Sequence, residues 1–286
     1  MTVGDCYAAL RNKLEKAGCD SPAFDAMCLL EDLGGVPHGR LSGRLDCVLT
    51  PEQLVRLREA GEQRAAGRPL QYILGEWGFL SLTLAVGEGV LIPRPDTELL
   101  CETAAEWLRG MEGDAPARVL DLCAGSGCVG IGLASLFPEV EVTAVELSET
   151  ALDYLNKNIA RYPEYQVRAV QADVLTDGGQ FCGNYQAILA NPPYIPREEL
   201  PGLMQEVQHE PVMALDGGTG DGLLFYRAIA RDWLEKLLPG GFCAVEVGIG
   251  QAEAVAMLWE ENGLCDVEIR RDLGDVPRVV VGRTRQ

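Results

Sequence analysis

Asn191-Pro192-Pro193-Tyr194, followed by Ile195-Pro196, combines residue types suited to holding a planar NH2 group. The asparagine carries a side-chain carbonyl, and each proline removes an N–H while leaving a carbonyl acceptor. Proline fixes φ and restricts the residue before it, so the backbone after Asn191 is stiff and extended. The tyrosine adds a flat ring. Two acceptors and one stacking surface make a site for an amide or an exocyclic amine. The same residues also read as a turn, because Asn-Pro and Pro-Pro punctuate loops. Their context is the end of Ala187-Ile188-Leu189-Ala190, an apolar run that reads as a buried strand.

Three further strand ends carry complementary groups. Arg118-Val119-Leu120-Asp121-Leu122 reads as a buried strand, Cys123-Ala124-Gly125-Ser126-Gly127 as a glycine loop, and Cys128 to Phe137 as a helix. Glycines let backbone approach a ligand, and a helix start offers free N–H groups. The strand Val140 to Val145 ends at Glu146, nineteen residues after Gly127, where a carboxylate can accept both hydroxyls of a ribose. The strand Val167 to Gln171 leads to Asp173 and Val174. Strands alternating with helices make a parallel sheet and bring these residues to its carboxyl edge, where open α/β folds bind ligands. Gly125 to Gly130 also satisfies G-x-G-x-x-G, a pattern of dinucleotide sites. Asp121, four residues before the glycines, and a clamp that hydride transfer does not need argue against a nicotinamide enzyme.

Helical spacing (Tyr7, Leu10, Leu14; Phe24, Met27, Cys28, Leu30) predicts helices over 5–18 and 21–33, with Ser21 as cap. A third runs from about Pro51 to Ala66, with Leu54, Val55 and Leu57 on its apolar face and Thr50 as cap. This bundle holds no constellation capable of chemistry and reads as a recognition module or a structural cap. From Gln71 the period shifts to two, predicting a hairpin with its turn at Gly87-Glu88-Gly89. Pro93-Arg94-Pro95-Asp96-Thr97-Glu98 follows, rigid enough to fix where Arg94 points, with a helix starting near Asp96. Beyond the clamp, helices are expected over 221–238 and 251–261. A turn is expected at Pro239-Gly240-Gly241, a strand over 242–247, and an antiparallel pair over 264–270 and 278–282. Glu246, inside an apolar run, reads as a satisfied core acid or a pocket residue.

The 286 residues are 47% hydrophobic and 23% charged, a globular balance with enough chain for a large core. No apolar run nears the roughly 20 residues that span a bilayer, and the start lacks an export pattern, so a cytoplasmic location without membrane contact is expected. The 10 cysteines are scattered and the two histidines, His38 and His209, lie far apart, so no metal site is expected. A net charge of −19 without a Lys/Arg cluster argues against nucleic acid as direct substrate. Nothing in the sequence sets the oligomeric state.

Together the glycine loop, Glu146, Asp173 and Asn191 to Tyr194 resemble the S-adenosylmethionine-dependent methyltransferases. The resemblance implies an α/β fold: a Rossmann-like methyltransferase sheet over 94–286, mostly parallel with an antiparallel final strand. A β-hairpin linker at 71–93 would join it to a small helical substrate-recognition domain at 1–70. The cofactor's methionine end is expected at Cys123, Ala124, Gly125, Ser126 and Gly127 with Asp121. Its ribose is expected at Glu146 and its adenine by Asp173 and Val174, with Arg94, Thr97 and Asn191 completing the wall.

Asn-Pro-Pro-Tyr in this place is similar to the signature of methyltransferases acting on planar NH2 groups, and the chain most resembles the release-factor glutamine methyltransferases. Leu91 to Glu98, His209-Glu210-Pro211, Ala214 to Gly218, Asp221-Gly222-Leu223 with Phe225-Tyr226, and Asp272-Leu273 with Arg278-Val279-Val280 carry that likeness. It implies methylation of the glutamine amide in the Gly-Gly-Gln motif of peptide chain release factors. Asn191, Pro192, Pro193 and Tyr194 would hold the amide, with Asn191 Oδ1 and the Pro192 carbonyl accepting its N–H groups and Tyr194 stacking on its plane. Enzymes that modify a ribosomal-protein glutamine or a nucleic-acid amine share the clamp and stand as alternatives, beside a non-catalytic adaptor. Cys123 departs from the glycine common at that loop position, and Glu146 from the more frequent aspartate. Gly178-Gly179-Gln180 repeats the release-factor tripeptide, a match that a chain with 33 glycines produces easily by chance.

Overall fold

Apolar residues at helical spacing build four helices at the amino terminus of the computed structural model, which describes residues 1–110 and 116–285. They are α1 (Val3–Lys16), α2 (Pro22–Asp32), α3 (Pro51–Ala65) and the short α4 (Leu70–Leu74). Thr2 and Thr50 close capping boxes with Asp5 and Gln53, which satisfy donors at the starts of α1 and α3. Ser21 makes no side-chain cap; Pro22 sets the start of α2. Leu10, Leu14, Leu29, Leu30 and Leu57 are buried, but Val55 is exposed. The inner stripe of α3 runs instead through Leu57, Ala60, Gly61 and Arg64. Arg64 tolerates burial because it is paired: its Nε donates to Asp25 at 2.7 Å and a second nitrogen donates to Glu206. Glu206 belongs to Met204–His209, which forms one compact unit with Met1–Glu76. α4 stands where a strand period was expected and ends at Gly75, whose φ of 82° is left-handed.

The second unit comprises Trp77–Leu203 and Glu210–Gln286. Its hairpin, β1 (Glu76–Phe79) and β2 (Leu82–Ala85), turns at Leu80-Ser81, with Leu80 at φ 52°, rather than at Gly87 to Gly89. Those glycines make a separate turn, in which the Val90 N–H donates to the Gly87 carbonyl at 3.3 Å, and let the chain pass close to a neighbouring helix, where a Cβ on Gly87 would lie 2.1 Å from the Tyr154 hydroxyl. Phe79, Leu82 and Leu84 enter the core with Leu100 and Ile131, so the hairpin is integral to this unit.

The central sheet has seven strands: β3 (Ala117–Leu122), β4 (Val140–Glu146), β5 (Gln166–Gln171), β6 (Tyr185–Ala190), β7 (Leu237–Glu246), β8 (Cys265–Arg271) and β9 (Pro277–Arg283). Their order is β5-β4-β3-β6-β7-β9-β8, parallel through β7 and antiparallel at β9 and β8. The helices of this unit are α5 (Glu98–Arg109), α6 (Cys128–Leu136), α7 (Glu149–Arg161), α8 (Leu224–Asp232) and α9 (Ala252–Glu261). β6 is apolar at successive positions because both its faces are covered. Ala187 and Leu189 join the layer that holds Leu100 and Ile131, while Ile188 and Ala190 join the layer of Tyr226, Trp233 and Trp259.

α8 is shorter than its sequence pattern predicts, and a 3-10 turn at Leu234–Lys236 feeds directly into β7. Pro239-Gly240-Gly241 lies inside β7, where the pairing with β6 shifts register between Tyr185 and Ala187, so an irregular strand start replaces the expected turn. The chain leaves β3 toward β4 and β5, then returns to the other flank of β3 for β6. That reversal opens a crevice at the carboxyl ends of β3 and β6. Among the described residues no helix is long and apolar enough to cross a membrane.

Candidate active site

A cavity of about 480 Å³ lies at this crevice, within the usual range for small-molecule sites. From the predicted set it gathers Cys123 to Ser126, Glu146, Asp173 with Val174, Asn191 with Pro193, and Arg94 with Thr97. Asp121, Gly127, Pro192 and Tyr194 stand outside its lining.

The loop after β3 turns through three left-handed residues, Cys123, Gly125 and Gly127, before α6. Cys123 takes a φ of 59°, which costs a residue with a side chain and is free to glycine, so the commoner glycine at this position has a conformational reason. Gly127 precedes α6 at φ 83°, and a Cβ there would fall 2.5 Å from Leu155 Cδ1; its role is close packing. Asp121 is wholly buried beneath the loop, where its Oδ2 accepts the Gly130 N–H at 2.9 Å and ties the first turn of α6 to β3. Desolvation pushes its carboxyl up to about 7. Its expected place against the cofactor is therefore corrected to a support beneath the site.

Glu146, at the end of β4, accepts the Gly125 N–H at Oε2 and the Ser148 N–H at Oε1, both at 2.8 Å. These bonds fix the carboxylate and leave each oxygen a further lone pair toward the cavity. Asp173 is held similarly, its Oδ1 accepting the Leu175 N–H at 2.8 Å while its own N–H donates to Asp177. Arg94 reaches the lining, but its guanidinium donates to Glu210, a buried acid whose other oxygen accepts the Ile92 N–H at 3.0 Å. Arg94 thus shapes the wall as half of an ion pair.

Asn191 follows β6 directly, its Nδ2 donating to Thr97 Oγ1 at 3.1 Å. Thr97 in turn donates to Glu246 Oε2 at 2.6 Å. Thr97 and Glu246 are 1% and 2% exposed, and burial pushes the Glu246 carboxyl up to about 7 against the pull of its hydrogen bonds. Neither the chain of bonds nor the part of Glu246 in it is visible in local sequence. Tyr194 also differs from expectation. Its hydroxyl donates to Glu246 Oε1 at 3.4 Å, and burial raises its pKa well above the usual tyrosine range. Packed against the core and against Gly248, it braces the clamp instead of forming a plate in the lining.

The residues after Tyr194 need glycines behind them. A Cβ on Gly222, whose φ is +69°, would meet the Tyr194 carbonyl oxygen at 2.2 Å, and one on Gly217 would lie 2.7 Å from Tyr194 Cα. Ile195 adds two backbone bonds, its N–H to Leu215 and its carbonyl from the Gly217 N–H, each 2.9 Å. Gln251 donates to the Tyr194 carbonyl at 2.8 Å. Arg278, held by Asp272 at 3.0 Å, grips Asp96 at 2.8 Å and anchors the segment that carries Thr97. Gly178-Gly179-Gln180 forms a 3-10 turn outside the cavity lining, with Gly178 buried against Asp232.

Two family models match: the PrmC N-terminal domain at residues 5–75 and the methyltransferase small domain at 97–225. A release factor glutamine methyltransferase of Geobacter sulfurreducens is 38% identical over 274 residues, 96% of this chain and 93% of that one. This chain belongs to the release factor glutamine methyltransferases. Another member, from Caulobacter vibrioides, is 34% identical across 99% of this chain and 96% of its own. A solved methyltransferase from Pyrococcus furiosus shares the fold at a TM-score of 0.52 and 16% identity, covering 83% of this chain and 100% of that one. The residues present fit the family's cofactor, S-adenosylmethionine. Ser126 Oγ is buried at the cavity with no hydrogen-bond partner, and a Cβ on Gly125 would meet no protein atom within 4 Å.

Proposed function

We propose that this chain transfers a methyl group from S-adenosylmethionine to the side-chain amide nitrogen of the glutamine in the Gly-Gly-Gln motif of peptide chain release factors, in the cytoplasm. The observation that carries the reading is the Asn191 carboxamide. Its NH2 is engaged by Thr97, so its oxygen is the side left for a substrate N–H.

Bound at the cavity, the cofactor supplies an electrophilic methyl group on a sulfonium. An amide nitrogen is a weak nucleophile because its lone pair is delocalised into the carbonyl. Asn191 Oδ1 and the Pro192 carbonyl would each accept one of its N–H groups, which pins the nitrogen and favours the positive charge that develops on it. Pro192 and Pro193 keep this segment extended and stiff. Tyr194 braces the clamp from behind. Alignment and preorganised acceptors supply the catalysis, and the proton leaves to water once the methylated nitrogen has become acidic. Glu146 would hold the ribose, and Asp173 with Val174 the adenine. The amino-terminal helices are assigned to docking the release factor.

Incubation with isotopically labelled cofactor, release factor, ribosomal protein and RNA tests the reading. One methyl group mapped to the release-factor glutamine is the expected product. Label confined to RNA or to the ribosomal protein would overturn it.

A further inference from the structure

We propose that Glu246 is a positioning residue for methyl transfer, acting through Thr97 to hold the Asn191 carboxamide in the one orientation that presents its oxygen to the substrate. The inference rests on the reaction proposed above. A hydroxyl that donates to a carboxylate has only lone pairs left for a second partner, so Thr97 must accept from Asn191, and only the NH2 side of Asn191 can donate. The bonds of 2.6 Å and 3.1 Å thus have a single polarity, set at Glu246. Exchanging the oxygen and nitrogen of Asn191 would put its carbonyl against an oxygen with no proton to give. Because Thr97 and Glu246 are almost wholly buried, water does not relieve that mismatch.

The same wiring ties the clamp to the charge of Glu246. Facing this side chain are the hydroxyl of Tyr194, the charges of Asp96 and Arg278, and the thiols of Cys101 and Cys128; Tyr226 donates to its main-chain carbonyl at 2.8 Å. Desolvation outweighs the rest and brings its titration to about 7. Once protonated, Glu246 can donate to Thr97. The Thr97 proton then turns toward Asn191, and the carboxamide is free to present NH2 to the cavity. The acceptor is in place above this pH and is lost as pH falls through it.

Near-isosteric variants and two readouts test the wiring. Thr97→Val should lower kcat/KM for a glutamine-containing release-factor peptide, measured at saturating S-adenosylmethionine, by about 10²-fold, the usual cost of losing one oriented group. Thr97→Ser should restore most of the loss. Glu246→Gln should abolish the acidic limb near neutral pH. In protein labelled with nitrogen-15 asparagine and free of substrate, the Asn191 side-chain resonance should move through about pH 7 in the wild type and stay still in Glu246→Gln. Wild-type kcat/KM in Thr97→Val, or an Asn191 resonance indifferent to pH in the wild type, overturns the proposal. A wild type that binds cofactor yet leaves the peptide unmethylated overturns the proposed reaction, and the resonance test still decides the wiring.

Discussion

Asn191 and Glu146 both line the cavity, yet their substitutions should separate cleanly. Asn191→Ala removes the acceptor proposed for the reacting amide and should lower methyl transfer by about 10² or more while cofactor affinity changes only a few-fold. Glu146→Ala should weaken cofactor binding first, because it removes the acceptors assigned to the ribose and releases the Gly125 and Ser148 N–H groups. Calorimetry with S-adenosylhomocysteine beside single-turnover kinetics distinguishes the two losses. Both residues were legible in sequence because each stands where an apolar run stops, and a polar residue at that edge of a parallel sheet faces the ligand crevice. Glu246 was not, since an acid within Ala244 to Val247 declares no partner locally. Its partner Thr97 lies 149 residues away. Tyr194 misled for a related reason: sequence shows that a ring is present, but not whether its hydroxyl turns toward substrate or toward a buried acid.

Among the elements, the support behind the clamp is the least replaceable. Gly222→Ala would set a methyl group 2.2 Å from the Tyr194 carbonyl oxygen at a φ that favours glycine. A destabilisation on the order of 2 kcal/mol in denaturant unfolding is expected, with methyl transfer falling further than cofactor affinity as the clamp moves. Elements with strong periodicity were readable to within a few residues, including β4, α9 and the final antiparallel pair. The errors fell where turn chemistry pointed elsewhere. Gly87-Glu88-Gly89 is a far stronger turn signal than Leu80-Ser81, but Leu80 accepts a left-handed φ and closes the hairpin, while the glycines make a separate turn beyond it. Pro239-Gly240-Gly241 likewise resembles a loop, and pairing with β6 draws it into a strand. α4 escaped because five residues give too little helical period to compete with the strand-like run that follows.

For the molecule as a whole, the buried acids Asp121 and Glu246 contribute to a dependence of stability on pH. Desolvation raises both Asp121 and Glu246 to about 7. The folded state then binds their protons more tightly than the unfolded chain, so this part of the stability is complete in acid and declines as pH rises from the ordinary carboxylate range through about 7. Asp121→Asn removes one of the two contributions. Its melting temperature relative to wild type should become more favourable between about pH 5 and pH 8, and a constant difference over that range would contradict the burial of a titrating acid.

Glu206 carries a consequence for biogenesis. Its carboxylate accepts from Arg64 within a compact unit that otherwise ends at Glu76. A ribosome emits the amino-terminal helices long before it reaches residue 206, so the nascent bundle waits with an incompletely neutralised arginine until most of the polypeptide has emerged. Completion of that bundle thereby becomes a late event of translation, coupled to delivery of the segment that carries Glu206.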